Sequence, residues 1–198
     1  MTTIIAGKYK GKRLYTPKDS KTIRTASSRF KQGMFETLKF ALINADILDL
    51  YAGIGSLGLE ALSRGAKSCD FVDQNKESHS LLEKNIKLCN AEYNCQIYTS
   101  SVEDFVLAQN TTDIKYDIIF IDPPYSVRDK DKIEDLLYNA SCLLNDKGIL
   151  VFKHSHFVTP PENLVGTHGI LELDIQKKYS ISVASIYFFT SKNDNKTK

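Results

Sequence analysis

The sequence predicts an α/β fold: a mostly parallel, seven-stranded sheet with helices on both faces, ending in an antiparallel hairpin. Three observations point there. Short apolar runs alternate with stretches of helical periodicity between residues 47 and 152. A glycine-rich bend stands between the first of these runs and the helix that follows it. The last two strand-like runs, Ile170–Gln176 and Ile181–Phe189, succeed one another with no helix between them. A helix linking two strands returns the chain to the same end of the sheet and makes them parallel, whereas a tight turn makes them antiparallel.

Composition narrows the class further. The 198 residues suit one domain able to close a core without disulfides or metals. Apolar residues make up 42% and charged residues 25%, the balance of a soluble globular protein. No run approaches the ~18 apolar residues of a membrane helix, and the N-terminus lacks an apolar signal core, so a cytoplasmic location away from membranes is expected. Cys69, Cys89, Cys95 and Cys142 are scattered and read as free thiols. His79, His154, His156 and His168 show no ligand-like clustering, so no metal is expected.

Charge is distributed unevenly. The net charge is +2, but residues 1–40 hold ten Lys/Arg against Asp19 and Glu36, a local +8 that leaves −6 for the remainder. A basic arm on an acidic body suits a polyanionic partner.

Taken in order, Thr3–Ala6 and Lys12–Tyr15 read as strands of a hairpin. A helix starting near Thr25–Ser28 carries Phe30, Met34, Phe35, Leu38 and Leu42 at helical spacing. The alternation then runs as strand Ile47–Tyr51, helix Ser56–Arg64, strand Cys69–Val72, helix Lys76–Leu88, strand Gln96–Thr99 and helix Val102–Ala108. It continues as strand Tyr116–Ile121, helix Ile133–Leu144 and strand Ile149–Phe152. Tyr187, Phe188 and Phe189 read as core. The expected division is a basic extension over residues 1–44, a main domain over 45–191 and a disordered tail over 192–198.

Two motifs carry chemistry. Gly53, Gly55 and Gly58 form a GxGxxG bend directly after a strand, where glycines permit a tight turn and close approach of a ligand. Asp73, twenty residues after Gly53 at the end of the next strand, suits the hydroxyls of a ribose. These features alone also fit NAD or FAD. Asp49 tips the balance, because a carboxylate at that strand end repels pyrophosphate and attracts the ammonium and sulfonium of S-adenosylmethionine.

The second motif is Asp122-Pro123-Pro124-Tyr125, which ends the apolar run Tyr116–Ile121 at the carboxyl edge of the sheet. An aromatic amine is a poor nucleophile because its lone pair is delocalised into the ring. Asp122 and the Pro123 carbonyl can accept its two N–H hydrogens and draw the nitrogen toward tetrahedral geometry. The two prolines fix a rigid turn, and Tyr125 offers a flat face for an unstacked base.

At this point the sequence resembles the RsmD family, bacterial methyltransferases that modify guanine N2 in 16S ribosomal RNA. The likeness covers Ile4–Gly11, the run Gly58-Leu59-Glu60-Ala61-Leu62-Ser63-Arg64-Gly65-Ala66, Phe71-Val72-Asp73, Asp122–Tyr125 and Lys177-Lys178-Tyr179. The resemblance implies a Rossmann-like class I methyltransferase fold, S-adenosylmethionine as cofactor and S-adenosylhomocysteine as product. Its partner would be 16S rRNA, the small ribosomal subunit or an assembly intermediate, and the chain is expected to act as a monomer. It places Asp49, Tyr51, Gly53, Gly55, Gly58, Asp73 and Gln74 around the cofactor, with Ser101 and Val102 near the adenine. It places Asp122, Pro123, Pro124 and Tyr125 at the target base. Arg24, Ser27 and Arg29 match the family's RNA-side loop, while Thr25, Ala26 and Ser28 depart from it. Lys153-His154 stands where the family tends to have an acidic residue.

Lys8, Lys10, Lys12 and Arg13, interleaved with Tyr9 and Tyr15, form the expected RNA surface. Three other readings stay open on sequence alone: a DNA adenine-N6 or cytosine-N4 amino-methyltransferase, an NAD-dependent oxidoreductase, and a non-catalytic RNA-binding module.

Overall fold

A two-stranded ladder opens the chain in the computed structural model, which describes residues 2–17, 27–124 and 127–192. In it β1 (Thr2–Thr3) pairs antiparallel with β2 (Arg13–Leu14), a shorter version of the expected hairpin. Helix α1 (Ser28–Leu38) follows, and Ser27 caps it by accepting from the Phe30 amide at 3.2 Å. Arg24, Thr25, Ala26 and Tyr125 lie outside the described residues, as do positions 193–198 of the expected tail.

The alternating part runs β3 (Asp46–Leu50), α2 (Gly58–Ser63), β4 (Ser68–Val72), α3 (Lys76–Cys89), β5 (Cys95–Tyr98), α4 (Val102–Gln109), β6 (Tyr116–Ile121), α5 (Lys130–Ser141) and β7 (Leu144–Ser155). Three strands close it: β8 (Asn163–Val165), β9 (Gly169–Tyr179) and β10 (Ser182–Ser191). The sheet order is β5-β4-β3-β6-β7-β10-β9-β8. The first five are parallel, and β10, β9 and β8 are added antiparallel. Eight strands therefore replace the seven expected. The extra one, β8, is three residues between Pro160-Pro161 and Gly166, too short to show alternation. Helix α5 ends at Ser141 rather than Leu144, because Leu144 is drawn into β7 opposite Tyr116.

The central parallel strands β3, β6 and β7 are buried on both faces, which is why Ile47–Leu50, Ile118–Ile121 and Ile149–Phe152 read as largely apolar runs, whereas the edge strand β5 is only partly buried. On β6, Ile118 and Phe120 join the core that holds α1, while Ile119 and Ile121 join the core beneath α4 and α5. Phe30, Met34, Phe35 and Leu38 of α1 all lie in the first of these cores. Phe188 departs from the core expectation: strand alternation buries Tyr187 and Phe189 and turns Phe188 outward.

The N-terminal segment shares the main core rather than standing apart from it. Ile4, Tyr9 and Leu14 are buried in the same cluster as α1 and α2. Glu60 of α2 accepts from the amides of Ile5 at 2.9 Å and Ala6 at 3.1 Å, and from Lys31 Nζ at 3.2 Å and Arg64 Nε at 2.9 Å. Gly7 lies so close to Ser63 that a Cβ there would stand 1.7 Å from its carbonyl oxygen, at a φ of +77°.

Candidate active site

Strands β4 and β5 are laid down on one side of β3, and β6 and β7 on the other, so the chain reverses direction between β3 and β6. In open α/β sheets ligands bind outside the carboxyl ends of the strands at that reversal. Leu50 of β3 pairs with Ile121 of β6, bringing the ends that carry Asp49 and Asp122 level.

The bend after β3 is held under strain. Tyr51 adopts a φ of +59°, which costs a bulky residue about 1–2 kcal/mol. Its hydroxyl donates to Glu103 Oε1 at 2.9 Å. Burial, with that carboxylate beside it, pushes the phenol well above its ordinary pKa. Gly53 and Gly55 follow at φ of +55° and +79°. A Cβ on Gly58 would meet Phe71 Cε1 at 2.4 Å and Cys69 Sγ at 2.5 Å, so a glycine is needed for α2 to lie against β4.

Two carboxylates brace this bend. Asp73 accepts from the Gly53 amide through Oδ2 and from the Asn75 amide through Oδ1, both at 2.8 Å. Asp49, 1% exposed, accepts from the Gly58 amide through Oδ2 at 2.9 Å. Burial drives the Asp49 carboxyl far up, the negative Asp122 and Asp73 push the same way, and the Gly58 amide partly offsets them. Each carboxylate oxygen can accept more than one donor, so bracing leaves both groups able to meet a ligand.

Asp122 follows β6 directly, and its amide donates to the Leu50 carbonyl at 3.3 Å. Its Oδ1 accepts from Lys153 Nζ at 2.5 Å, and the two side chains are 17% and 9% exposed. Burial raises the Asp122 carboxyl, while the ammonium of Lys153 draws it back. Pro123 is buried and Pro124 exposed, the latter's carbonyl accepting from Val127 to close the turn. Lys153 was absent from the expected site. The signal for it was a charge directly after the apolar run Ile149–Phe152, and the pairing of Ile121 with Phe152 carries that charge beside Asp122.

Other expected site residues have structural partners of their own. Ser101 is the cap of α4, accepting from the Asp104 amide at 3.1 Å and donating to its carboxylate at 2.7 Å. Val102 is packed in the core beneath α4 and α5, and Gln74 is exposed just past β4. Ser27 serves α1 as its cap.

The basic turn also needs correcting. Lys8, Lys10 and Arg13 are exposed, whereas Lys12 bonds the Leu88 carbonyl and the Tyr9 ring is buried. Of the two aromatic rings expected there, Tyr15 is the one presented to solvent. The Lys8 amide is held by Ser63 at the end of α2. The turn thus sits by the C-terminal ends of α2 and α3, and Asn85 of α3 ties the residues after it to the glycine bend, accepting from the Tyr15 amide at 2.7 Å and donating to the Ile54 carbonyl at 3.0 Å. Arg29 is better placed: α1 begins at the catalytic edge, with Phe30 packed against Tyr179 and 5.7 Å beneath Lys153 Nζ.

Among the described residues no group of three or more His, Cys, Asp or Glu could hold a metal ion, and no helix is long and apolar enough to cross a membrane. The crevice between β3 and β6 gathers Asp49, Asp73 and Asp122 with one ammonium, Lys153. A pyrophosphate entering it meets like charge, and a sulfonium with an ammonium meets opposite charge. The residues present therefore fit S-adenosylmethionine and not a dinucleotide.

The comparisons agree with that geometry. The family described as Conserved hypothetical protein 95 matches residues 2–187. YlbH of Bacillus subtilis strain 168, whose name proposes an rRNA methyltransferase, is 30% identical over 93% of this chain and 97% of its own length. Ribosomal RNA small subunit methyltransferase D of Escherichia coli K12 is 34% identical over 74% of this chain and 68% of its own. Among solved structures, the hypothetical protein TTHA0928 of Thermus thermophilus superposes with a TM-score of 0.79 at 22% identity, over 94% of this chain and 98% of its own. The fold is shared as well with SMU.776, solved in complex with SAH, at a TM-score of 0.60 and 17% identity over 77% of this chain and 49% of its own.

Proposed function

We propose, from the premise that the chain belongs to the RsmD family of rRNA methyltransferases, described as Conserved hypothetical protein 95, that it methylates the exocyclic N2 amino group of a guanine in 16S ribosomal RNA. One observation carries the reading. A carboxylate-proline turn at the end of β6 and a glycine bend at the end of β3 share one crevice at the point where the sheet reverses direction.

S-adenosylmethionine supplies an electrophilic methyl carbon, its sulfur keeping the electron pair of the broken bond. Asp49, Asp73 and the bend of Gly53, Gly55 and Gly58 hold that donor by charge complementarity and close backbone approach. Asp122 accepts hydrogens of the target amino group, localises the lone pair on nitrogen and takes up the proton shed as the new bond forms. It need not be a strong base, because the amine becomes acidic only during transfer. Orientation supplies the remainder, with the nitrogen held in line at a near-attack separation of ~3–3.5 Å. The base reaches this crevice from a single-stranded loop or by extrusion from its stack. Arg29 at the start of α1 meets nearby phosphates, and the turn of Lys8, Lys10 and Arg13 grips a flank of the same RNA.

The test is mass mapping of nucleosides in 16S rRNA from cells lacking the chain, complemented with wild type or with Asp122→Ala. Wild type restores one N2-methylguanosine and Asp122→Ala does not, although the purified variant still binds S-adenosylhomocysteine. Restoration by Asp122→Ala contradicts the role given to this residue. Methyl transfer to duplex DNA in place of rRNA contradicts the substrate.

A further inference from the structure

Lys153 follows directly on the apolar run Ile149–Phe152 of β7, and it is nearly fully buried. Its partner is the carboxylate that the reading above brings to the target amine, and the contact is short: Nζ to Oδ1 of Asp122 at 2.5 Å. The pair is not an accident of long surface side chains. Sheet register sets it, since Ile121 lies opposite Phe152 and the next residue of each chain segment stands at the same level. The Phe30 ring covers the ammonium from α1 at 5.7 Å.

Charge makes the pairing consequential. Three carboxylates share the crevice, Asp49 from β3, Asp73 beyond β4 and Asp122 beyond β6, and the negative charges of Asp122 and Asp73 both act on Asp49. Lys153, from β7, is the cation bonded among them. The neighbouring His154 turns elsewhere, its Nε2 bonded to Ser185 Oγ at 2.8 Å. A buried carboxylate without a cation drifts toward its neutral form, and a protonated Asp122 is a weaker acceptor for the amino hydrogens and cannot take up the shed proton.

We propose that Lys153 is a positioning residue for methyl transfer, its ammonium binding Oδ1 of Asp122 so that Oδ2 stands ionised and aimed at the target amine. This rests on the assignment of Asp122 above. The amino nitrogen bonds the methyl carbon, the carbon–sulfur pair stays on sulfur, and one N–H proton passes to Oδ2. Lys153 neither gives nor takes a proton in this step.

The experiment compares wild type, Lys153→Gln and Lys153→Arg by two readouts. The first is a carbon-13 NMR titration of the Asp122 carboxyl in protein carrying labelled aspartate, assigned with Asp122→Asn, without RNA or cofactor. The second is the pH dependence of kcat on small subunits lacking the modification. In Lys153→Gln the Asp122 midpoint rises by at least about one pH unit, and the acid limb of kcat moves with it, a loss of about tenfold or more on that limb. On the alkaline side kcat recovers toward wild type, and Lys153→Arg restores both midpoint and limb. An unmoved midpoint in Lys153→Gln overturns the proposal. So does a kcat lowered equally at every pH, the mark of a merely structural residue. Should Lys153→Gln not fold, Lys153→Arg must keep the wild-type midpoint and limb, and a shifted midpoint there overturns it too. Wild type that titrates as described yet methylates no RNA overturns the functional reading and leaves the ion pair standing.

Discussion

Asp49 is buried, ionisable and bonded to the Gly58 amide, and its carboxyl is driven far above the usual range by lost solvation. The folded chain therefore holds a proton over a pH range in which the unfolded chain, titrating near ~3.9, has released it. Stability contributed by this group is present in acid and falls as pH rises through the folded midpoint. Asp49→Asn keeps an oxygen for the Gly58 amide and has nothing to ionise. Urea midpoints measured from about pH 4 to 8 should show the variant gaining on wild type as pH rises, while its affinity for S-adenosylmethionine falls. A gain confined to acid pH contradicts this account. Two serines show what sequence leaves open at this scale. A serine near a helix start reads equally as cap or ligand, and in Ser27 and Ser101 the cap prevails because the orphan amides of Phe30 and Asp104 are within reach. Lys153 could not be paired from sequence, because its contact with Asp122 exists only once β6 and β7 are in register.

At the scale of elements, the strand ends and the bend between them were legible. Tyr116–Ile121 has the bounds expected, and the glycine bend lies where its spacing put it, because unbroken apolar runs and glycines at a strand end report local constraints. The anchoring of the N-terminal segment was not legible, since it depends on a buried Lys31–Glu60 pair with both side chains 0% exposed. Lysines are almost never fully buried unless paired, so composition favours a solvated arm. Removing one partner strands the other charge, and Lys31→Ala should cost about 3–5 kcal/mol in urea unfolding. Lys39→Ala, which breaks the exposed pair with Glu36, should cost under about 1 kcal/mol. Equal losses from the two variants contradict the anchoring role. Gly7→Ala forces the chain off Ser63 and should loosen the same segment, read as faster amide exchange at Ile5, Ala6 and Tyr9.

On the scale of the whole molecule, basic side chains stand on two segments: Lys8, Lys10 and Arg13 by the ends of α2 and α3, and Arg29 at the start of α1 near Lys153. Exposed cations on more than one segment suit a long polyanion better than a small substrate. Charge reversal at Lys10 and Arg13 should weaken rRNA binding and flatten its salt dependence, with affinity for S-adenosylhomocysteine unchanged. Unaltered RNA binding would remove the turn from the docking surface. Sequence charge showed that a basic arm exists but not where it lies, because the fold-back over α2 and α3 is a tertiary contact.

The most direct test of the central claim is a crystal structure with S-adenosylhomocysteine bound. The account predicts the ligand along Gly53, Gly55 and Gly58, its ribose at Asp73 and its sulfur facing the Asp122 side of the crevice. A ligand seated elsewhere, or a sulfur turned away from Asp122, would contradict it.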